Sequence, residues 1–206
     1  MGRPRTNDEA VGERLVACAT EMLAAGPRES VTVREVAAAA ATSATAVYSL
    51  FGGKDGLIRA VRDRAVAGLF EDLSAVPASA DPIADIYALG AAYRRWARGH
   101  RHLYTVLFSG AQTFDPSGAV GARDPIRPLL AAIDRGTAAN VLAGDVTPIA
   151  LSIWVALHGL VTLELAGALD TATAETAFEP TLRAVLRGWA APGVHRAPRA
   201  RRAAEG

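Results

Sequence analysis

Cysteine is nearly missing from this chain of 206 residues. Cys18 stands alone, which excludes an internal disulfide and leaves packing to hold the fold. It lies between Leu15 and Met22 on the apolar side of the first helical segment, where a small core residue is expected. Alternation of apolar and polar residues is scarce, which argues against sheets. Half of the residues are hydrophobic, so an all-α chain with a sizeable core is the natural class. Excess charge is missing too: 22 basic residues face 21 acidic ones, and a net +1 does not advertise nucleic-acid binding. Lysine occurs once, at Lys54. Long apolar runs are also absent. Ile149 to Leu163 is almost wholly apolar, yet it is shorter than the ~20 residues a membrane span needs, and His158 and Glu164 interrupt or end it. No membrane partner is expected. A helix apolar all round is better explained as buried on two sides, by its own domain and by a partner subunit.

Patterns that carry catalysis are missing as well. The chain has no Gly-rich phosphate loop, no G-x-S-x-G and no paired His–Glu motif. His100 and His102 are two apart and do not share a helix face, while His158 and His195 are distant and no cysteine joins them. No catalytic residue, metal site or cofactor is expected. Met1-Gly2-Arg3-Pro4-Arg5 leads into polar residues rather than an apolar run, so a cytoplasmic location is expected.

What is present is concentrated between Val31 and Leu57, VTVREVAAAAATSATAVYSLFGGKDGL. Thr32 and Glu35 have capping-box spacing, with Val31 and Val36 placed to form a hydrophobic staple. Val36, Ala37 and Ala40 give one small apolar face, and Ala37 to Ala41 are strong helix formers of little bulk. Thr42 and Ser43 are cap residues for a second short helix. On it Val47 and Phe51 fall four apart and point inward, which turns Thr45, Ala46, Tyr48 and Ser49 elsewhere. Gly52-Gly53 ends that helix, and Lys54 and Asp55 open a long one with Leu57, Ile58, Val61, Ala65, Leu69, Leu73 and Val76 at helical spacing. Two short helices so close together are the build of a helix-turn-helix, which sets its second helix into the DNA major groove. Asp8, Glu9 and Glu13 belong near a helix start, where the dipole favours acids. Arg3, Arg5, Arg34 and Lys54 are then the charges nearest the expected DNA face. Lys54, at a helix N-terminus, is suited to hold a phosphate.

These residues resemble the N-terminal pattern of the tetracycline-repressor (TetR) family. Thr32, Val36 and Ala37 match its T-x-x-x-[IV]-A, and Ala40, Ser43, Val47, Tyr48, Phe51, Lys54, Asp55 and Leu57 match A-G-V-S-x-x-T-[LV]-Y-x-[HY]-F-x-[SN]-K-[ED]-x-L without a gap. The chain departs at Ala41, where the family has a turn Gly, at Thr42, at Leu50 in place of an aromatic and at Gly53. If the turn backbone is left-handed, an Ala at 41 costs about 1 kcal/mol. The resemblance implies a homodimer on a palindromic operator of double-stranded DNA, released by a small-molecule effector. It implies DNA contacts from Thr32, Arg34, Ser43, Ala44, Thr45, Ala46, Tyr48, Ser49 and Lys54. Among these Thr45, Ala46 and Ser49 face bases or sugar edges, and Thr32, Ser43, Tyr48 and Lys54 hold phosphates. Arg3 and Arg5 are placed to reach a minor groove.

Along the rest of the chain, residues 1 to 7 read as a flexible arm. Helices are expected over Asp8–Ala25 (stopped by Gly26-Pro27), from Pro82 capped by Asp81 to Gly99, His100–Phe108, Pro125–Leu142, Thr147–Ala168 and Ala174–Ala190, where Pro180 marks a kink or the true start. Ser109 to Arg123 reads as a long Gly-containing loop, and the Arg-rich end with Arg196, Arg199, Arg201 and Arg202 as a solvated tail. The whole is about nine helices: a three-helix DNA-binding head over 1–53, a ligand-binding and dimerisation bundle over 54–192, and a flexible tail over 193–206.

Aromatic residues collect in the bundle. Tyr93, Trp96, Tyr104, Phe108 and Trp154, with His158, line an apolar effector pocket or simply fill the core. Trp154-x-x-x-His158-Gly159 and HLYTVLF (102–108) resemble one Trp-His-Gly subgroup of C-terminal domains, with Arg101 standing where Pro is common. His158 fits either a ligand donor or a satisfied core histidine. Gly159 costs about 1 kcal/mol against Ala in mid-helix, which close packing of another helix explains. A dimer contact is therefore expected from Leu151, Val155, Gly159 and Thr162 with Leu182, Val185, Leu186 and Trp189. An activator of the same build, or an α-helical binding protein or enzyme whose head is vestigial, are the alternatives.

Overall fold

A computed structural model describes residues 5–26, 30–108 and 123–192, with the side chains of residues 5–7 left out. Among the described residues there are nine helices and no strands: α1 (Arg5–Ala25), α2 (Val33–Ala39), α3 (Ala44–Phe51), α4 (Lys54–Ser74), α5 (Pro82–Gly99), α6 (Arg101–Phe108), α7 (Arg127–Ala138), α8 (Val146–Leu165) and α9 (Thr171–Gly188). The all-α class holds. The residues cluster in two compact units. One takes in the chain to Asp72 and the part from Arg95 through α6. The other takes in Leu73–Arg94 and the described chain from Ile126 to Pro192.

The first unit is built on α1. Leu15, Val16, Ala19 and Leu23 face inward with Val11, joined by Val36, Ala37 and Ala40 of α2, Val47 of α3, and Leu57, Ile58 and Val61 of α4. Val106 of α6 lies in the same core and Leu103 packs against it, as Cys18 and Met22 do from α1. Cys18 is half-buried rather than enclosed. The head's core thus draws on residues well beyond position 53. In the second unit α8 packs most extensively on α9 and next on α7. Ile149, Ile153, Val161 and Leu182 have no exposed surface there.

Several boundaries differ from the sequence expectation. α1 begins at Arg5, so residues 5–7 are helical rather than part of an arm. Met1–Pro4 (with Arg3), Pro27, the 109–122 segment and the 193–206 tail lie outside the described residues. α4 stops at Ser74, two residues short of Val76. α7 ends at Ala138, not Leu142, because Asn140 turns left-handed (φ 54°) and the Val141 and Leu142 N–H groups bond back to the Gly136 carbonyl. Leu142 is then buried and pairs with Ala190 in an isolated bridge. α8 is stopped before Ala168 by Gly167 at φ 75°. α9 starts three residues earlier than expected because Asp170 caps it, accepting the Thr173 N–H at 2.7 Å, and it runs through Pro180.

At 20 residues α8 is long and apolar enough to cross a membrane, so length gives no argument against a span. Its inner residues are covered by α7 and α9, as in a core helix, while Leu151, Val155 and Leu163 are exposed.

Candidate nucleic-acid interface

The helix-turn-helix is held by local chemistry at each of its corners. Thr32 sits at extended φ/ψ and accepts the Glu35 N–H through its hydroxyl oxygen at 3.3 Å. In return the Glu35 carboxylate accepts the Thr32 N–H at 3.1 Å and the Thr32 hydroxyl proton at 2.7 Å. The capping box is complete. Those bonds from Thr32, with the charge of Lys54 adding to them, hold the Glu35 carboxyl below its ordinary range, so it is ionised at neutral pH. A hydroxyl has one proton to give. With the box closed, that of Thr32 goes to Glu35, so its expected donation to a phosphate requires the box to open. The Val31 and Val36 side chains of the expected staple are both buried in the head's core.

The turn runs through Ala41 at φ 50°, in the left-handed region. The Ala41 N–H reaches the Ala38 carbonyl at 3.1 Å, and that of Thr42 reaches Ala37 at 2.9 Å. The chain therefore makes a glycine-type turn with an alanine, at a cost of about 1 kcal/mol or more. Ser43, not Thr42, caps α3, its hydroxyl oxygen accepting the Ala46 N–H at 3.3 Å.

On α3, Val47 is fully buried, and Phe51 and Ala46 pack against the same core. Helical spacing of three and four then carries Thr45, Tyr48 and Ser49 to the opposite face, and all three are exposed, Tyr48 to 61%. Ala44 is half-exposed at the helix start. Ala46 leans to the core, so of the expected base-facing set it is the least accessible. Leu50 is exposed at the position that departs from the family pattern. Gly52 ends the helix at φ 71° and donates its N–H to the Tyr48 carbonyl. Gly53 is buried below the phenol: a Cβ there would stand 3.5 Å from the Tyr48 ring. Lys54 opens α4 and is half-buried, whereas Arg34 is exposed in the first turn of α2. Gly56 is required by close approach, since a Cβ on it would fall 1.7 Å from the Phe51 carbonyl oxygen. The α3–α4 corner closes only because that position has no side chain.

The residues expected to line an effector pocket divide between the two units. In the second, the His158 ring stacks on Trp154 (4.9 Å between centroids, 16° between planes), and its Nδ1 lies 3.0 Å from the Tyr93 hydroxyl. Burial pushes the His158 pKa down, which favours the neutral imidazole. Gly90 lets α5 approach closely: a Cβ on it would lie 3.3 Å from Leu157 of α8 and Phe178 of α9. In the first unit, Trp96 is buried and stacks on His100 at 5.4 Å, and Tyr104 meets Phe108 at 4.7 Å.

The expected dimer residues also divide. Leu151, Val155, Gly159 and Thr162 are exposed on α8, with nothing within 4 Å of a Cβ built on Gly159. Leu182 and Leu186 of α9 are buried in their own unit, where α9 packs on α8. Val185 and Trp189 are half-buried, the Trp189 ring lying 3.0 Å from where a Cβ on Gly144 would stand.

Two buried ion networks escaped the sequence reading. Arg94 places its guanidinium on both Glu164 oxygens (2.7 and 2.9 Å), reaches Glu175 as well, and lies 5.9 Å over the Phe178 ring. Its hydrogen bonds to the two glutamates, first to Glu164, raise its pKa, so it is charged at every accessible pH. Asp85, 4% exposed, accepts the Ser79 N–H and hydroxyl and the Arg135 guanidinium (2.6 Å). The Ser79 hydroxyl, then Arg135, hold its pKa down at about 2. The available signal was a charged residue on an apolar stripe: Arg94 follows Tyr93, and Glu164 closes the apolar run. Among the described residues no group of three or more His, Cys, Asp or Glu side chains is placed to hold a metal ion.

The chain matches the family description "Tetracyclin repressor-like, C-terminal domain" over residues 86–189, half of its length. It matches "Bacterial regulatory proteins, tetR family" over residues 15–61, which contain the helix-turn-helix. It is 28% identical over 159 residues to an uncharacterized HTH-type transcriptional regulator of Mycobacterium tuberculosis, covering 73% of this chain and 68% of that protein. The TetR-family regulator PfmR of Thermus thermophilus has a similar structure, with a TM-score of 0.67 at 20% identity over 84% of this chain and 97% of that one. So does a TetR-family regulator of Marinobacter aquaeolei, with a TM-score of 0.68 at 16% identity over 91% and 99%. At these identities the structures speak for the fold.

Proposed function

This chain belongs to the tetracycline-repressor family of DNA-binding transcriptional regulators, and on that premise we propose that it is a homodimeric repressor released from a palindromic operator by a small molecule. The observation that carries the reading is the exposed row Thr45, Tyr48 and Ser49 on a helix whose other face is locked into the head's core. The α3 helix enters the major groove, Tyr48 and Lys54 contact phosphates, and the DNA contacts come from residues up to Gly53 together with Lys54 at the start of α4. Residues 54–192 carry the effector site and the dimer contact. Support for the dimer comes from the exposed apolar surface of Leu151, Val155 and Leu163 on α8 beside the open Gly159, a patch of the kind that marks association. A two-fold dimer places two α3 helices about one DNA turn (~34–36 Å) apart or somewhat more. The effector binds at Tyr93, Trp154 and His158 and shifts the heads only by its differential affinity for the two states. No reaction is part of this role, and the protein acts in the cytoplasm, where its operator is.

The test is operator selection from genomic DNA with the full-length protein, followed by gel-shift titration of Tyr48→Ala and Lys54→Ala. Each variant is expected to keep the wild-type thermal transition and to bind the selected palindrome at least tenfold more weakly. Unchanged affinity in both removes α3 from the groove.

A further inference from the structure

The exposed face of α3 has an unusual chemical content. The helix reads ATAVYSLF, with no arginine, lysine, asparagine, glutamine, aspartate or glutamate in it. Guanine is recognised in the major groove by a guanidinium or ammonium on its O6 and N7, adenine by a side-chain amide on N6 and N7, and cytosine by a carboxylate on N4. None of these groups is available on this helix. On the face opposite Val47 it offers the Thr45 hydroxyl and methyl and the Ser49 hydroxyl one turn on, with the half-exposed Ala44 methyl before them and the exposed Leu50 to one side. Tyr48 shares that face, with its ring beside Gly53 at the helix end, and is assigned above to a phosphate. Hydroxyls bond to any base edge and discriminate weakly. Methyl groups have one distinctive partner in the groove, the C5-methyl of thymine.

We infer that α3 reads thymine through its 5-methyl group, with Thr45 as the specificity-determining residue. This rests on the placement of α3 in the major groove proposed above. The γ-methyl of Thr45 packs on the thymine methyl while its hydroxyl bonds to a neighbouring base or sugar oxygen. Fork-type reading of guanine is left to residues outside α3, of which Arg34 is exposed in the first turn of α2. The half-site under α3 is then recognised by shape and apolar contact, and a single absent methyl on the DNA is felt as a loss of affinity.

The experiment uses the selected operator and the full-length protein, with thymine replaced by uracil one position at a time. Uracil pairs as thymine does and lacks only the 5-methyl. Loss of one buried methyl contact predicts about fourfold weaker binding at one or more half-site positions. Thr45→Ser, which keeps the hydroxyl and drops the methyl, is expected to bind the thymine and uracil operators alike at that position. Thr45→Val, which keeps the methyl, is expected to retain the preference. This protein-by-base cycle isolates the methyl–methyl term from any change in overall affinity. Equal binding of thymine and uracil at every position by the wild type overturns the inference, as does a preference that survives in Thr45→Ser. In either case the groove placement of α3 is decided separately, by whether Tyr48→Ala and Lys54→Ala weaken binding of the selected operator. A protein that selects no operator overturns the groove placement and this inference with it.

Discussion

At position 41 the chain pays for its helix-turn-helix in backbone strain. Ala41 holds φ 50°, a conformation that favours glycine. Alanine normally stabilises a helix against glycine by about 1 kcal/mol, and at Ala41 the sign is expected to reverse. Ala41→Gly should leave thermal stability unchanged or raise it, whereas Ala38→Gly, on the exposed side of α2, should lower it by about 1 kcal/mol. Thermal melts of the two variants check this. If both lose stability alike, the turn carries no strain. The sequence showed that an alanine stands where the family pattern has a turn glycine, and the structure supplied the left-handed backbone; the capping box was legible outright, since its two residues are three apart. The commitment of the Thr32 proton to Glu35 was not legible: spacing gives the pair, and only geometry gives the direction of the bond.

At the scale of elements, the α3–α4 corner depends on a missing side chain. Gly56 occupies an ordinary helical position, and no conformational reason in the sequence marks it. Contact with the Phe51 carbonyl does. Gly56→Ala is expected to push α4 away from α3 and cost about 3 kcal/mol or more, since backbone rather than a flexible side chain must move. A denaturant melt should show a lower midpoint, and a melt equal to wild type would mean that the corner is slack. The same distinction explains which helix ends were misread. The α5 start was visible as Asp81-Pro82, and the structure has Asp81 accepting the Ile83 and Ala84 N–H groups. The early end of α7 was not, because Asn140 turns left-handed inside an apolar pattern, and Leu142 is buried although it lies beyond the helix end.

At the scale of the molecule, two expectations concern what holds the second unit together and what it assembles with. Asp85 has a pKa of about 2 in the fold against an ordinary 3.8. A depressed carboxylate contributes stability that is fully present above its ordinary value and is lost as pH falls through the folded one. The wild type should therefore lose stability between about pH 4 and pH 2. Asp85→Asn should be less stable at neutral pH and show a flatter acid limb in that window. Equal acid slopes in the two proteins would contradict the Ser79–Asp85–Arg135 clasp. Val155 is 54% exposed at the centre of the apolar row on α8. Val155→Glu is expected to turn a dimer into a monomer in sedimentation and to abolish operator binding while the helical signal persists. A variant that remains dimeric would move the contact to another surface.

The sequence by itself determined the helical class, the head and its caps, the outward row on α3 and the family. Each is set by residues within a turn or two of one another, where spacing alone decides which side chains meet. The tertiary structure decided matters that depend on residues far apart in the chain. Leu182 and Leu186 lie in the core of their own unit, because α9 packs on α8. Arg94 found Glu164 and Glu175, 70 and 81 positions away. The aromatic residues that composition grouped together were divided between two units. Periodicity shows that a helix has an apolar face, and the choice of what covers that face belongs to the packing of the whole chain.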